Sequence, residues 1–243
     1  MIKNLNKFYF NHIPKTGGRF VNDIVVQSHS KKIYQVGPKE KIDVDKYNDS
    51  DIISGHLGIE PNKIFNNINT IVCLRDPIKR LVSHYCQFTN FKKDNAIEDF
   101  KKWILDDYID INIKSNYQSK FFTNTRDPLL LEESPGVIGY ETKEFVRPGL
   151  VLIQDKPDYD IAKKYLDQSS LVLITEKLSQ SIELVSNILS VPIDHHPNLS
   201  ILHKHNNKNS NILFNSLSNK EIQKIKNINN IDFEIYEYAK RLV

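Results

Sequence analysis

Residues 7 to 27 limit the possible folds more than any other stretch. Lys7 to Ile13 (KFYFNHI) is an aromatic and β-branched run that reads as a strand. Pro14 to Gly18 (PKTGG) is a turn-forming segment. Arg19 to Gln27 then sets Phe20, Ile24 and Val25 on one face at helical spacing. A strand, a glycine turn and a helix in immediate succession is the order expected of an anion-binding loop.

The alternation continues along the chain. Asp51 to Ser54 (DIIS), Thr70 to Leu74 (TIVCL) and Leu171 to Thr175 (LVLIT) read as short strands, the last two apolar enough to be buried on both faces. Asp76-Pro77 opens a helix, since Asp can cap it and proline suits its first position. Ile78, Leu81, Val82 and Tyr85 form the core face of that helix, and Arg80 and Ser83 fall on the other side. Ala96 to Ile109, Lys114 to Phe122, Asp160 to Leu166 and Leu178 to Leu189 read as further helices. Ser218 to Leu242 closes the chain in helical pattern, with Ser218 and Glu221 spaced as a capping box. Thr123 to Pro148 carries three prolines and two glycines and reads as loop. Short buried strands alternating with helices predict an α/β fold, a three-layer α/β/α arrangement with a central parallel sheet and a largely helical C-terminal half. With no clear linker, residues 1–243 are expected to form one domain.

Composition removes several classes. Hydrophobic residues at 40% and charged residues at 26% are globular values, which excludes disorder. No apolar run approaches the roughly 20 residues of a membrane helix. A net charge of +3 with a pI near 8.6 is too mild to argue for nucleic acid, whose binders usually have a domain pI above about 9. It suits a small anionic ligand in a local basic pocket. Cys73 and Cys86 make no disulfide framework, so a reducing compartment is expected. The N-terminal MIKNLNK shows neither an apolar h-region nor a small-residue cleavage site, and the expected location is cytoplasmic. Neither nucleic acid nor membrane is expected as a partner, and oligomeric state is not readable.

Two segments carry chemistry. In His12-Ile13-Pro14-Lys15-Thr16-Gly17-Gly18, the glycines let backbone N–H groups converge on an anion, and the following helix adds its dipole. Lys15 offers a mobile charge and Thr16 a hydroxyl. The segment is not a Walker A loop, because its lysine precedes the glycines. A bare K-T-G-G fits a plain glycine turn better than a ligand site. The second segment runs from Cys73 to Tyr85 (CLRDPIKRLVSHY). Arg75 lies at the carboxyl end of a buried strand, where α/β sheets place ligands. Ser83 lies about two turns into the helix. Together they could hold one phosphate, Arg75 as a fork and Ser83 as a single donor. For Arg75 the competing reading is an ordinary surface ion pair. Arg80 sits four residues after Asp76 and is expected to pair with it across one helical turn.

Taken together, the two segments carry a resemblance. HIPKTGG resembles the 5′-phosphosulfate loop of sulfotransferases that use 3′-phosphoadenosine 5′-phosphosulfate (PAPS), and LRDPIKRLVSHY resembles their 3′-phosphate motif. The nearest branch is that of the heparan sulfate and uronyl 2-O-sulfotransferases and their bacterial relatives. Asn116-Tyr117-Gln118-Ser119 is similar to the family's N-x-Q-[ST] segment, Leu173 to Lys177 (LITEK) to its strand-ending T-E-[RK], and Asn229 to Ala239 to a common C-terminal helix. Residues 124 to 150 match no named part of the family.

The resemblance implies a P-loop-like fold and transfer of a sulfuryl group from PAPS to an acceptor hydroxyl, leaving adenosine 3′,5′-bisphosphate. A carbohydrate is the leading acceptor, and another small molecule the alternative. Lys15, Thr16, Gly17 and Gly18 match the loop around the 5′-phosphosulfate, with Arg19 and Phe20 following it; Arg75 and Ser83 match the 3′-phosphate ligands. Lys15 would neutralise charge on the bridging oxygen as the S–O bond breaks. Ser54-Gly55-His56 matches a His-Gly-His segment whose second His is the general base, which gives that role to His56. Neutral imidazole near pH 7 also suits the task on physical grounds. No metal is implied, and His195-His196, His203 and His205 lack a recognised zinc spacing.

Two departures bear on the acceptor. Arg19 stands where the family usually has Thr or Ser, and Ser54 replaces the first histidine of the pair. Two other functional classes remain open: a P-loop nucleotide kinase or phosphotransferase, which would need a lysine after the glycines and Mg²⁺-binding carboxylates, and a nucleotide-binding module without catalysis.

Overall fold

In a computed structural model of the chain, the residues described are 7–28, 31–36, 42–58, 61–62, 68–88, 95–108, 111–123, 156–190 and 208–243. Five strands, β1 (Phe8–Asn11), β2 (Ile33–Val36), β3 (Ile52–Gly55), β4 (Asn69–Leu74) and β5 (Leu171–Ile174), form one parallel sheet in the order β2-β3-β1-β4-β5. The helices among the described residues are α1 (Gly18–Ser28), α2 (Val44–Asn48), α3 (Pro77–Phe88), α4 (Ala96–Leu105), α5 (Ile111–Lys114), α6 (Tyr117–Thr123), α7 (Tyr159–Gln168), α8 (Ile182–Leu189), α9 (Lys208–Ser216), α10 (Asn219–Ile228) and α11 (Asn230–Ala239).

Alternating residues explain the layers, because successive strand side chains point to opposite faces. Phe10, Ile71, Cys73 and Leu173 pack on one face against Phe20, Val21 and Ile24 of α1 and Val185 and Leu189 of α8. Val72, Leu74, Val172 and Ile174 pack on the other against α6, α7 and α11, through residues such as Phe121, Leu166 and Ile235. The three-layer α/β/α expectation therefore holds. A separate helical pack joins α3, α4, α9 and α10, where Ile78, Leu81, Val82 and Tyr85 meet Phe100, Trp103, Leu213 and Ile225.

The strand order locates the ligand edge. The chain leaves β1 toward β2 on one side and leaves β4 toward β5 on the other, while β1 and β4 are neighbours. Their carboxyl ends thus flank the topological switch point, the crevice where open α/β sheets bind ligands.

Several elements differ from the sequence expectations. β2 is a fifth strand; it lies at the sheet edge and is only partly buried, so it lacks the apolar run that marks the inner strands. α2, too short to show periodicity, was also unforeseen. The helix expected over Lys114 to Phe122 is two helices, and so is the closing one. Asn116, at a φ of 44°, interrupts the first, and Asn229 interrupts the second. The two breaks bind each other: the Asn116 N–H donates to Asn229 Oδ1 at 2.9 Å, and the Asp232 N–H to Asn116 Oδ1 at 3.1 Å. The helix expected from Leu178 begins as a 3₁₀ turn over Thr175–Ser181 and becomes α8 at Ile182. The Ser218–Glu221 capping box forms as expected.

Arg80 requires a correction. It is fully buried and forms no surface pair with Asp76. Its guanidinium donates to the Ile113 carbonyl at 2.8 Å and lies 4.6 Å from the Tyr117 ring centre. Burial pulls its pKa down to about 10, against the opposing field of the Asp232 carboxylate. The face of α3 opposite its apolar stripe is covered by α5 and α6, so a residue on the polar side of the helical wheel is interior here. Of the loop expected over Thr123 to Pro148, Thr123 instead ends α6, and residues 124–148, like the histidines at 195, 196, 203 and 205, lie outside the described residues.

Candidate functional site

The turn after β1 is built by its main chain. The His12 N–H donates to the Gly55 carbonyl at 3.1 Å, which continues the sheet by one residue. Lys15 then takes a φ of 72° and Gly17 a φ of 90°. The Thr16 N–H and hydroxyl both donate to the Ile13 carbonyl, at 3.4 and 2.8 Å, closing the turn. The Lys15 and Thr16 carbonyls are drawn toward the ends of β4 and β5. Lys15 O accepts from Arg75 Nη1 at 3.2 Å. Thr16 O accepts from Thr175 Oγ1 at 2.6 Å and from Cys73 Sγ at 2.8 Å. A trans peptide points its N–H opposite to its carbonyl, so the Gly17 N–H faces away from those strand ends. α1 starts at Gly18 and adds its N-terminal dipole.

Packing also favours glycine at both positions. A Cβ on Gly18 would lie 1.9 Å from the His12 imidazole, and one on Gly17 would lie 2.7 Å from Leu178 Cδ1 in a backbone conformation that disfavours side chains. Arg19 occupies the first turn of α1. Phe20 sits in the core beneath α1, and its N–H donates to Gly17 O at 2.9 Å. Its side chain is buried in the core on the α1 side of the sheet.

The turn after β4 presents Arg75, whose side chain is 24% exposed. Its backbone is held on both sides by one amide: the Arg75 N–H donates to Gln118 Oε1 at 2.9 Å, and Gln118 Nε2 donates to Arg75 O at 2.8 Å. Glu176 Oε1 stands 4.0 Å from Arg75 Nε, and Glu176 Oε2 accepts from the Tyr236 hydroxyl at 3.0 Å. Arg75 Nε has no hydrogen-bond partner among the described residues. Asp76 Oδ1 accepts from the Lys79 N–H at 2.9 Å, the helix cap the sequence predicts. Ser83 is half-buried on α3. Burial pulls the His84 pKa well below its ordinary value, with the Arg80 and Lys15 charges adding to it, and burial raises that of Cys86 against the smaller pull of Lys15, so the Lys15 charge reaches the stretch of α3 that bears Ser83.

His56 follows β3, the other neighbour of β1. Its Nδ1 is hydrogen-bonded to the His12 carbonyl oxygen, and the two imidazole centres are 4.5 Å apart. A carbonyl only accepts, so Nδ1 carries the proton and Nε2 keeps a lone pair. Burial pushes the His56 pKa below its ordinary value, with the His12 carbonyl as a smaller opposing effect. Ser54 is buried and donates to Asn22 Oδ1 at 3.1 Å. A second imidazole, that of His12, does stand beside His56.

The three strand ends thus bring together Lys15, Thr16, Gly17, Gly18, Arg75 and His56. An anion cradle, two cations and a neutral imidazole can bind an activated anionic donor and deprotonate a hydroxyl beside it. The reading from sequence missed Thr175, Gln118 and Asp232, whose side chains hydrogen-bond the main chain at and behind these turns. Their segments stood out only as resemblances, because their partners lie far away in the chain. Among the described residues no group of three His, Cys, Asp or Glu side chains could hold a metal ion, and no helix is long and apolar enough to cross a membrane. A family model described as "Sulfotransferase family" matches residues 1–239. Comparison with curated proteins gives no match.

Proposed function

The chain belongs to the sulfotransferase family, and from that premise we propose that this enzyme moves the sulfuryl group of PAPS to a carbohydrate hydroxyl, with His56 as general base and Lys15 assisting the leaving group. The observation that carries the reading is the bond from Arg75 Nη1 to the Lys15 carbonyl. It joins the two nucleotide-like segments into one surface at the switch point, so a ligand with phosphates at both ends can meet both. The Ser54-Gly55-His56 segment supports placement near the 2-O-sulfotransferase branch.

The residues fit the donor chemically. The Gly17 N–H and the α1 N-terminus would receive the 5′-phosphosulfate, and Arg75 with Ser83 the 3′-phosphate. Bound there, PAPS supplies the sulfuryl group and an adenosine 3′,5′-bisphosphate leaving group. Lys15 places positive charge where negative charge grows on the bridging oxygen. His56 Nε2 takes the proton of the attacking hydroxyl, while the His12 carbonyl holds Nδ1–H and so fixes the ring.

Calorimetric titration with adenosine 3′,5′-bisphosphate, adenosine 5′-phosphate and ATP-Mg²⁺ tests the cofactor class without knowledge of the acceptor. The expected result is tight binding of the bisphosphate, lost in large part without the 3′-phosphate. In Arg75→Ala the bisphosphate should weaken far more than adenosine 5′-phosphate. A preference for ATP-Mg²⁺ would overturn the reading in favour of a phosphotransferase.

A further inference from the structure

The Thr16 carbonyl is held by two side chains from outside the turn. It accepts from the Thr175 hydroxyl at 2.6 Å and from the Cys73 thiol at 2.8 Å, which uses both of its lone pairs. The Cys73 thiol is fully buried, and burial pushes its pKa up to about 12, so it remains a donor at neutral pH. Thr175 Oγ1 also lies 3.0 Å from Leu74 O. A hydroxyl has one proton, and the shorter contact assigns it to Thr16 O.

These bonds fix something the turn itself leaves free. Rotating the Thr16–Gly17 peptide by half a turn would carry Gly17 from a φ of 90° to the mirror region at negative φ. Glycine occupies both regions at similar cost. The glycine that permits the turn therefore also permits the flip. In the flipped state the Thr16 carbonyl oxygen, and not the Gly17 N–H, would face the incoming anion and repel it. A thiol is a weak donor, so the main restraint against the flip is the Thr175 hydroxyl.

Resting on the PAPS reading above, we propose that Thr175 is a positioning residue that locks the Thr16–Gly17 peptide with its N–H toward the 5′-phosphosulfate. It touches neither donor nor acceptor. The role belongs to the first residue after β5, on a strand two places along the sheet from β1.

The test compares adenosine 3′,5′-bisphosphate with adenosine 3′-phosphate, which lacks the 5′ group, on the wild-type protein, Thr175→Val and Thr175→Ser. Valine keeps the shape and removes the hydroxyl; serine restores it. Loss of one such hydrogen bond corresponds to about tenfold in affinity. Thr175→Val is therefore expected to bind the bisphosphate about tenfold more weakly and adenosine 3′-phosphate unchanged, with Thr175→Ser close to wild type. Equal weakening of both ligands would mark a merely structural role and overturn the proposal, as would a valine variant that discriminates like the wild type. A wild-type protein that binds the two ligands alike would instead remove the functional reading on which the proposal stands. An independent measurement needs no substitution. In protein labelled with ¹⁵N at glycine, the bisphosphate should shift the Gly17 amide resonance and adenosine 3′-phosphate should not; an unmoved Gly17 amide overturns the proposal.

Discussion

After β1 the surface offered to a ligand is main chain, and side chains from other strands hold it: Arg75 on the Lys15 carbonyl, Thr175 and Cys73 on the Thr16 carbonyl. After β4 the arrangement is reversed. The offered group is the Arg75 side chain, and its main chain is what is held, through both atoms of the Gln118 amide. Gln118 is itself placed by Asp232, whose carboxylate accepts the N–H groups of Gln118 and Ser119, at 2.9 and 2.8 Å, and the Ser119 hydroxyl at 2.7 Å. The first turn therefore tolerates little added volume, while the second depends on an unbroken chain of polar contacts reaching α11. Both strand ends depend on distant partners, and the first is also sensitive to an added atom at Gly17 or Gly18.

Removing Lys15, the side chain proposed to act directly at the first turn, is the strongest way to break this contrast. In the proposed mechanism Lys15→Ala deletes charge where charge develops, and the expected loss in turnover is about 10²–10³-fold. Binding of adenosine 3′,5′-bisphosphate should suffer much less, because the main-chain cradle stays. Transfer assays with labelled PAPS beside calorimetry separate the two quantities. A turnover near wild type would mean that the main chain alone suffices. Gln118→Ala sharpens the contrast from the other side. It leaves the Arg75 N–H and carbonyl without that partner, at a cost of about 1–3 kcal/mol in stability. The expected consequence is about tenfold weaker binding of adenosine 3′-phosphate, with adenosine 5′-phosphate little affected. Equal losses for both ligands would show that the two turns are not separately supported.

What the sequence revealed follows the same division. The strand–glycine–helix unit and the Asp76-Pro77 helix start were legible because their causes are local: turn chemistry, capping and apolar runs. The capping box at Ser218 was legible for the same reason. Arg80 was misread because helical spacing records which residues share a face, not what covers that face; α5 and α6 cover it. The breaks at Asn116 and Asn229 were invisible because each asparagine satisfies a partner more than a hundred residues away, as the separation of 113 shows. Thr175 and Gln118 belong to the same class. Their types are ordinary, and only tertiary structure brings them to the carbonyls and amide they hold. His12 stood inside a quoted motif, yet its place beside His56 depends on the pairing of β1 with β3.

The smallest expected effect concerns pH. His56 must be neutral to act as a base, and its burial sets its pKa below the ordinary 6.5. The acid limb of kcat/KM, which reports the free enzyme, should therefore lie below that value. At pH 6.5 an unperturbed imidazole would be half protonated and cost about twofold in rate; here the loss should be smaller. The stability linkage has the same sign. A folded-state pKa below the unfolded one means that unfolding takes up a proton, so this contribution is present above pH 6.5 and is lost as the pH falls through the folded value. A pH–rate profile with its acid limb at or above 6.5 would place the catalytic proton on a more exposed group. A limb below it in the wild type, with transfer lost and bisphosphate affinity kept in His56→Ala, would assign the limb to this imidazole and separate the third strand end, proposed to deprotonate, from the two proposed to bind.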